Sequence, residues 1–119
     1  ANEQVAVLVQ AEHIEAVENI ESIVRVEGID GIMLGPYDLS ASLGKMGQLD
    51  DPAVVGAIER VFQACQSTGT PIGYFGVTAE AVRPYLQKGY NLILAGVDTL
   101  HLGNAAQDLL NELKPSPNN

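Results

Sequence analysis

The chain contains little cysteine and few basic residues. A single cysteine, Cys65, in 119 residues excludes an internal disulfide and suits a reducing compartment. Because Cys65 falls at a core-facing position of a helical pattern, we interpret it as a small buried hydrophobe rather than a nucleophile. Six Lys and Arg against fifteen Asp and Glu give a net charge of −9, so no basic surface is available for a run of phosphates. The composition therefore argues against nucleic acid and anionic membrane surfaces as partners.

Long apolar runs are also absent. No stretch approaches the roughly 20 residues that a bilayer span needs, and no signal-peptide pattern is visible. We therefore expect a cytoplasmic protein. The first residue is not Met, and a strand is expected within a few residues of it, as in a piece of a longer protein.

Apolar strand patterns and helical patterns alternate four times along the chain. This alternation predicts an α/β fold with a parallel sheet and right-handed crossovers. We expect a single domain at 1–114 and a polar tail at 115–119. The predicted strands are 5–9, 31–34, 71–75 and 91–95. The predicted helices are 14–26, a short one within 38–44, 52–68, one that Thr78 caps and that runs through 87, and one from 104 or 105 to 113.

Local signals define several of these elements. The run 5–9 is rich in β-branched residues, which predicts a strand covered on both faces. Asp51 followed by Pro52 predicts the start of a helix, and Gly69 its end. Four βα units do not close a barrel, which needs eight, and an open four-stranded sheet leaves two bare edges. We therefore predict either half of a larger barrel or a chain that pairs with another copy.

Two carboxylates follow the first two predicted strands. Glu12 comes after the run 5–9, and Asp38 comes after the Gly35-Pro36 break that ends the run 31–34. Ligands of parallel α/β folds bind at the carboxyl ends of strands. Two such acids can share a hard divalent cation, which takes about six oxygen ligands and leaves positions for substrate and water. The alternative for both acids is a helix cap, and the alternative for Gln10 is a polar residue of a barrel interior.

Three segments, Gln10–Glu12, Val26–Gly31 and Gly35–Gly44, together resemble the HpcH/HpaI aldolase family. These are metal-dependent, pyruvate-specific class II aldolases of the 2,4-dihydroxyhept-2-ene-1,7-dioate aldolase type. The resemblance runs along nearly the whole chain, and the 26-residue spacing from Glu12 to Asp38 fits the family as the surrounding motifs do. It implies the C-terminal half, strands five to eight, of a phosphoenolpyruvate/pyruvate-type TIM (β/α)8 barrel.

The resemblance also implies residue roles and a reaction. The acids matching Glu12 and Asp38 bind Mg²⁺, Mn²⁺ or Co²⁺, and the positions matching Gln10, Tyr37 and Asp38 contact bound pyruvate. The implied lyase reaction cleaves 4-hydroxy-2-oxo acids to pyruvate and an aldehyde through a metal-stabilised enolate, with oxaloacetate as a second possible oxo acid. The general-base His of the family, its Asp partner and an Arg belong to the first half of the barrel. We therefore expect no catalytic base in this chain, and little or no aldolase activity from it alone.

Two positions depart from the family pattern. His13 stands where a hydroxylic residue is common, and Tyr37 stands where a small residue, often Ala, is common. If the pyruvate contact at Tyr37 is made by its backbone N–H, the larger side chain narrows or reshapes the aldehyde side of the pocket. Neither His13 nor His101 lies in a context that matches the family base.

Two alternatives of other classes stay open at this point. One is a non-catalytic half-barrel that binds metal and oxo acids, or a purely structural one that dimerises. The other is a receiver-like or flavodoxin-like module, which fits the alternation but lacks its Gly-rich phosphate motif here. For the enzyme, the expected partners are a homo-oligomer or a complementary N-terminal half.

Overall fold

The chain forms one four-stranded parallel sheet, and every helix except the last contributes buried residues to the core on one of its faces. The computed structural model describes residues 4–114; the predicted tail at 115–119 lies outside them. The strands are β1 (Leu8–Ala11), β2 (Gly31–Leu34), β3 (Ile72–Gly76) and β4 (Leu92–Ala95). The helices are α1 (Ile14–Glu18), α2 (Ile20–Ile23), α3 (Pro36–Ser42), α4 (Pro52–Thr68), α5 (Ala79–Lys88) and α6 (Asp98–Leu113). The strand order is β1-β2-β3-β4, and none of these helices is long and apolar enough to cross a bilayer.

The longest helix, α4, lies where its local signals predict it. The Oδ1 atom of Asp51 accepts the N–H of Ala53 at 2.9 Å, and Pro52 takes the first helical position. Gly69 ends the helix at a φ of +70°, a conformation that favours glycine. The predicted cap of α5 is also confirmed, because the hydroxyl of Thr78 accepts the N–H of Ala81 at 3.2 Å.

The prediction for the first strand is wrong in its bounds and in its burial. The strand β1 spans Leu8–Ala11 rather than 5–9, and Val5 and Val7 are 64% and 45% exposed. The physical reason is that β1 is an edge strand, which pairs only with β2. A β-branched run predicts burial in the complete fold, and the described residues provide no second layer over this edge.

Two predicted helices also differ from the structure. The helix predicted at 14–26 is divided into α1 and α2 at Asn19, whose side-chain Nδ2 donates to the backbone oxygen of Glu15 at 2.8 Å. The same oxygen also accepts the backbone N–H of Asn19 at 3.1 Å, so the side chain shares an acceptor with the helix. The last helix begins at Asp98, six residues before the earlier predicted start at 104, because Gly103 does not interrupt it. The strands β3 and β4 each begin one residue later than predicted.

The strand register separates the sheet into two different faces, because successive side chains point to opposite sides. The outer face packs beneath the helices, and its central residues are at most 2% exposed: Ala11, Ile32, Leu34, Ile72 and Tyr74. The inner face carries Leu8, Leu92 and Leu94, which are 50%, 39% and 47% exposed. The side that lines the inside of a closed barrel is therefore open in this chain.

Candidate active site

The inner-face residues at the carboxyl ends of the strands form one row across the sheet. Phe75 pairs with Leu94 in the register of β3 and β4. Glu12 and Gly35 each lie two residues beyond the paired residues Gln10 and Met33, so they continue the same face. The N–H of Gly35 donates to the backbone oxygen of Ala11 at 3.2 Å, which extends the ladder to this row. Glu12, Gly35, Phe75 and Leu94 thus form the rim of the open inner face.

Gly35 leaves the space into which two predicted site residues converge. A Cβ atom at Gly35 would lie 3.0 Å from both Cβ and Oε2 of Glu12, and 3.3 Å from Nε2 of Gln10. The φ of Gly35 is −102°, a value that other residues adopt, so glycine is required here by space rather than by backbone strain. The structure therefore brings the Glu12 carboxylate and the Gln10 amide together beside the end of β2.

Tyr37 and Asp38 occupy the first turn of α3, immediately after this space. Gly35 is the N-cap residue of α3 and Pro36 its first residue, and no side chain caps the helix. Asp38 is therefore not the cap, and its exposed carboxylate makes no hydrogen bond or ion pair with other side chains in residues 4–114. The ring of Tyr37 meets the ring of Phe75 edge to face, with centroids 6.2 Å apart and planes at 66°.

The donor set at this rim fits a hard divalent cation. Glu12 and Asp38 supply carboxylate oxygens, the ligands that Mg²⁺ and Mn²⁺ prefer. The space over Gly35, which a Cβ would fill, holds the Glu12 carboxylate on the inner side next to the start of α3. Within residues 4–114 no three His, Cys, Asp or Glu side chains cluster as a metal site. A cation at this rim therefore has two protein carboxylates at most, and its other positions are open to substrate and water.

The remaining reactive side chains have structural explanations. Cys65 is fully buried and free, and burial raises the pKa of its thiol to about 11, so the thiol stays protonated near neutral pH. The Nδ1 atom of His13 accepts the N–H of Glu15 at 3.3 Å and caps α1. Asp98 is the first residue of α6, after the cap position Val97, and its carboxylate accepts the N–H of Thr99 at 2.7 Å.

Sequence reasoning missed two features at the strand ends. The ring of His101 packs against the backbone of Gly96, which follows β4 at a φ of +90°. The contact of Tyr37 with Phe75 was also missed, because it joins α3 to β3 and depends on tertiary packing. A positive φ favours glycine, so the presence of glycine at position 96 is a sequence signal for this conformation. No sequence feature indicates the contact between Tyr37 and Phe75.

Two clefts are lined mainly by residues of the helices, of the loops and of the outer face. One has a volume of about 510 Å³ and is lined by Val82, Leu86, Ala95 and His101 among others. The second has a volume of about 540 Å³ and is lined by Tyr37, Asp50, Tyr74 and Tyr85 among others. Neither includes Glu12 or Asp38. This agrees with the open inner face, because a pocket around these acids needs a second wall.

Comparison with known proteins gives one family. Residues 1–105 match the family HpcH/HpaI aldolase/citrate lyase. A hydroxypyruvate/pyruvate aldolase of Cupriavidus necator is 37% identical over 117 residues, which are 98% of this chain and 44% of that protein. A 4-hydroxy-2-oxo-heptane-1,7-dioate aldolase of Escherichia coli is 39% identical over 109 residues, 92% of this chain and 42% of that protein. The crystal structure of an HpcH/HpaI aldolase/citrate lyase family protein from Burkholderia cenocepacia superimposes with a TM-score of 0.91 at 38% identity, covering 97% of this chain and 45% of that one.

The chain belongs to the HpcH/HpaI aldolase/citrate lyase family. It spans less than half the length of the curated relatives it matches. Its four βα units correspond to about half of the barrel of its structural neighbours, so the resemblance and the half-barrel fold predicted from sequence are both confirmed.

Proposed function

We propose that this chain supplies the metal-binding and oxo-acid-binding half of a metal-dependent class II pyruvate aldolase. The reaction is cleavage of a 4-hydroxy-2-oxo acid to pyruvate and an aldehyde, or its reverse. One observation carries the proposal: Gln10 and Glu12 converge over Gly35, directly before the helical turn that presents Asp38. The relatives named as aldolases support it.

Four residues of the rim have roles in this proposal. Glu12 and Asp38 would hold Mg²⁺, Mn²⁺ or Co²⁺. When bound, such a cation is a Lewis acid that withdraws charge from the 2-oxo group of the substrate. The amide of Gln10 donates a hydrogen bond to an oxygen of pyruvate. The backbone N–H groups of Tyr37 and Asp38, in a first helical turn with no carbonyl one turn earlier, are free to donate to its carboxylate.

The proton acceptor of the reaction is assigned to another polypeptide segment. None of the rim side chains described above is a histidine positioned as a base, and His13 is used as a helix cap. We propose that four complementary βα units close the barrel. An N-terminal half would also supply the base, whereas a second copy of this chain would close the sheet without supplying it. The unpaired edges of β1 and β4 and the exposed inner face support this assembly.

Calorimetry with Mn²⁺ and then pyruvate tests the proposed site. The unaltered chain should bind Mn²⁺, and pyruvate in its presence. Glu12→Gln should weaken Mn²⁺ binding by at least about tenfold, because one of two protein carboxylates is lost. Glu15→Gln is the matched control, since this exposed carboxylate on α1 lies outside the rim. Equal Mn²⁺ affinity for the unaltered chain and Glu12→Gln would contradict the proposal.

A coupled pyruvate-release assay separates the catalytic interpretation from the structural one. The chain alone should show little or no aldol cleavage, because the base is absent. Weak oxaloacetate decarboxylation with Mn²⁺ is expected, since this reaction needs mainly the electron sink, and Glu12→Gln should abolish it. Fast aldol turnover by the chain alone would show that the base assignment is wrong. Self-association without any Mn²⁺ binding would instead favour a structural half-barrel.

A further inference from the structure

An aromatic pair borders the rim next to the proposed metal ligands. Phe75 lies in the inner-face row that contains Glu12 and Gly35. Tyr37 directly precedes Asp38 in α3 and packs edge to face on Phe75. Tyr37 is 37% exposed and lines the second cleft as well as packing on Phe75, so part of its ring stays accessible. The pair therefore presents aromatic surface to whatever binds beside Asp38.

No basic side chain accompanies this aromatic surface. Three of the six Lys and Arg residues form ion pairs on the helical side: Lys45 with Asp51, Arg60 with Glu21 and Lys88 with Glu59. A fourth, Arg83, lines the first of the two clefts. The last two, Arg25 and Lys114, follow the ends of α2 and α6. An aldehyde that carries a second carboxylate would thus meet no cation on this half of the site, only the acids Glu12 and Asp38.

We propose that the side chains of Tyr37 and Phe75 form the aldehyde-binding wall and select uncharged aldehydes with an aromatic or apolar substituent over aldehydes with a second carboxylate. This inference rests on the proposed function. Bond formation requires the aldehyde carbonyl within about 3.5 Å of the methyl carbon of pyruvate. The aldehyde substituent consequently lies against the side chains nearest to the metal ligands. Phe75 lies beside Gly35 in the rim, and the ring of Tyr37, at a position where the family commonly has a small residue, packs on it.

Alcohol analogues that cannot react give a direct test. Benzyl alcohol and 4-hydroxybutyrate are added separately to the chain with saturating Mn²⁺ and pyruvate, and the NMR relaxation of their protons by Mn²⁺ is measured. The relaxation measured with the same Mn²⁺ and pyruvate but without the chain is subtracted, because the carboxylate of 4-hydroxybutyrate also binds free Mn²⁺. The remainder reports molecules bound close to a protein-bound cation, and not those adsorbed elsewhere on exposed apolar surface. Benzyl alcohol should show the effect, and 4-hydroxybutyrate should show at least about threefold less, because ring contacts favour the aromatic ligand.

Variants of Tyr37 test whether its ring is responsible for the binding of benzyl alcohol near Mn²⁺. Tyr37→Ala should weaken the benzyl alcohol effect by about three- to tenfold, and Tyr37→Phe should retain it. Met46→Ala, at a position 79% exposed in the loop before α4, is the control for removal of an exposed apolar side chain. Mn²⁺ and pyruvate affinities are measured in parallel for each variant, and the benzyl alcohol effects are compared at equal occupancy of Mn²⁺ and pyruvate.

The possible failures are distinguishable. One outcome is that Tyr37→Ala binds Mn²⁺ and pyruvate as the unaltered chain does and keeps the full benzyl alcohol effect. In that case Tyr37 does not form the aldehyde-binding wall, and the proposed function stands. Equal relaxation of 4-hydroxybutyrate and benzyl alcohol would overturn the selectivity. If the unaltered chain binds no Mn²⁺, the proposed function fails, and this inference fails with it.

Discussion

At the scale of single residues, the rim depends on the absence of a side chain at Gly35. Gly35 has an ordinary φ, so its importance lies in the volume that it leaves to Glu12 and Gln10. A methyl group at this position would lie 3.0 Å from both Cβ and Oε2 of Glu12, tighter than nine in ten real Cβ contacts. The carboxylate of Glu12 would have to shift, and it would then be less well placed to share a cation with Asp38.

Gly35→Ala should therefore lower Mn²⁺ affinity by about ten- to a hundredfold, the range found when the groups that orient metal ligands are altered. The midpoint of thermal unfolding should change little, because the backbone of Gly35 tolerates alanine. Calorimetry and a thermal melt measure the two quantities. Gly103→Ala is the control, since a Cβ there meets no atom within 4 Å. Unchanged Mn²⁺ affinity in Gly35→Ala would remove the argument that Glu12 is positioned by this space.

The sequence predicts a set of site residues but not their surroundings. Glu12 and Asp38 are predicted from their positions after strands, and Gln10 and Tyr37 from the resemblance to the family. The crowding of Glu12 against Gly35 needs the pairing register of β1 and β2, which local sequence does not encode. Contacts of this kind become visible only when the neighbours across the sheet are known.

At the scale of elements, prediction succeeds where the signals are local. The helix α4 has an acidic cap and a proline at its start and a left-handed glycine at its end, and the structure matches both bounds. The strand β1 and the first helical segment are mispredicted, because edge position and the local hydrogen bonding of Asn19 outweigh hydrophobic periodicity. Capping residues therefore predict where a helix ends more reliably than hydrophobic periodicity predicts that a helix is continuous.

Two alanine substitutions associated with α4 should change stability in opposite directions. Gly69→Ala should destabilise the chain by about 1–2 kcal/mol, because alanine is strained at positive φ, although a Cβ there meets no atom. Gly56→Ala, inside the helix and equally free of contacts, should stabilise it by about 0.5–1 kcal/mol. Urea unfolding followed by circular dichroism measures both. A shift of the same sign in the two variants would show that backbone conformation is not the cause.

At the scale of the whole molecule, much apolar surface lacks a partner. The helix α6 has no buried residue along its length, and the inner face exposes Leu92 and Leu94 of β4. The radius of gyration is 18.2 Å, against about 13 Å for a compact domain of 100 residues. Large exposed apolar areas of this kind mark surfaces that associate.

We expect the chain to be a dimer or larger assembly in solution. The double variant Leu92→Gln with Leu94→Gln should shift it toward the monomer, because the inner face then loses apolar contact area. Size-exclusion chromatography with light scattering measures the mass, and Met46→Gln, in a loop far from the inner face in sequence, is the control. A monomeric unaltered chain would contradict the expectation.

Strand order has a consequence for how such a sheet is made. Every strand pairs with the one that precedes it along the chain, so no pairing waits for a distant segment. Each new βα unit can add to the unit already formed while the polypeptide leaves the ribosome, and contacts close in sequence favour rapid folding. The sheet can therefore grow one strand at a time from β1 to β4, and the unpaired edge of β4 can then accept a further strand.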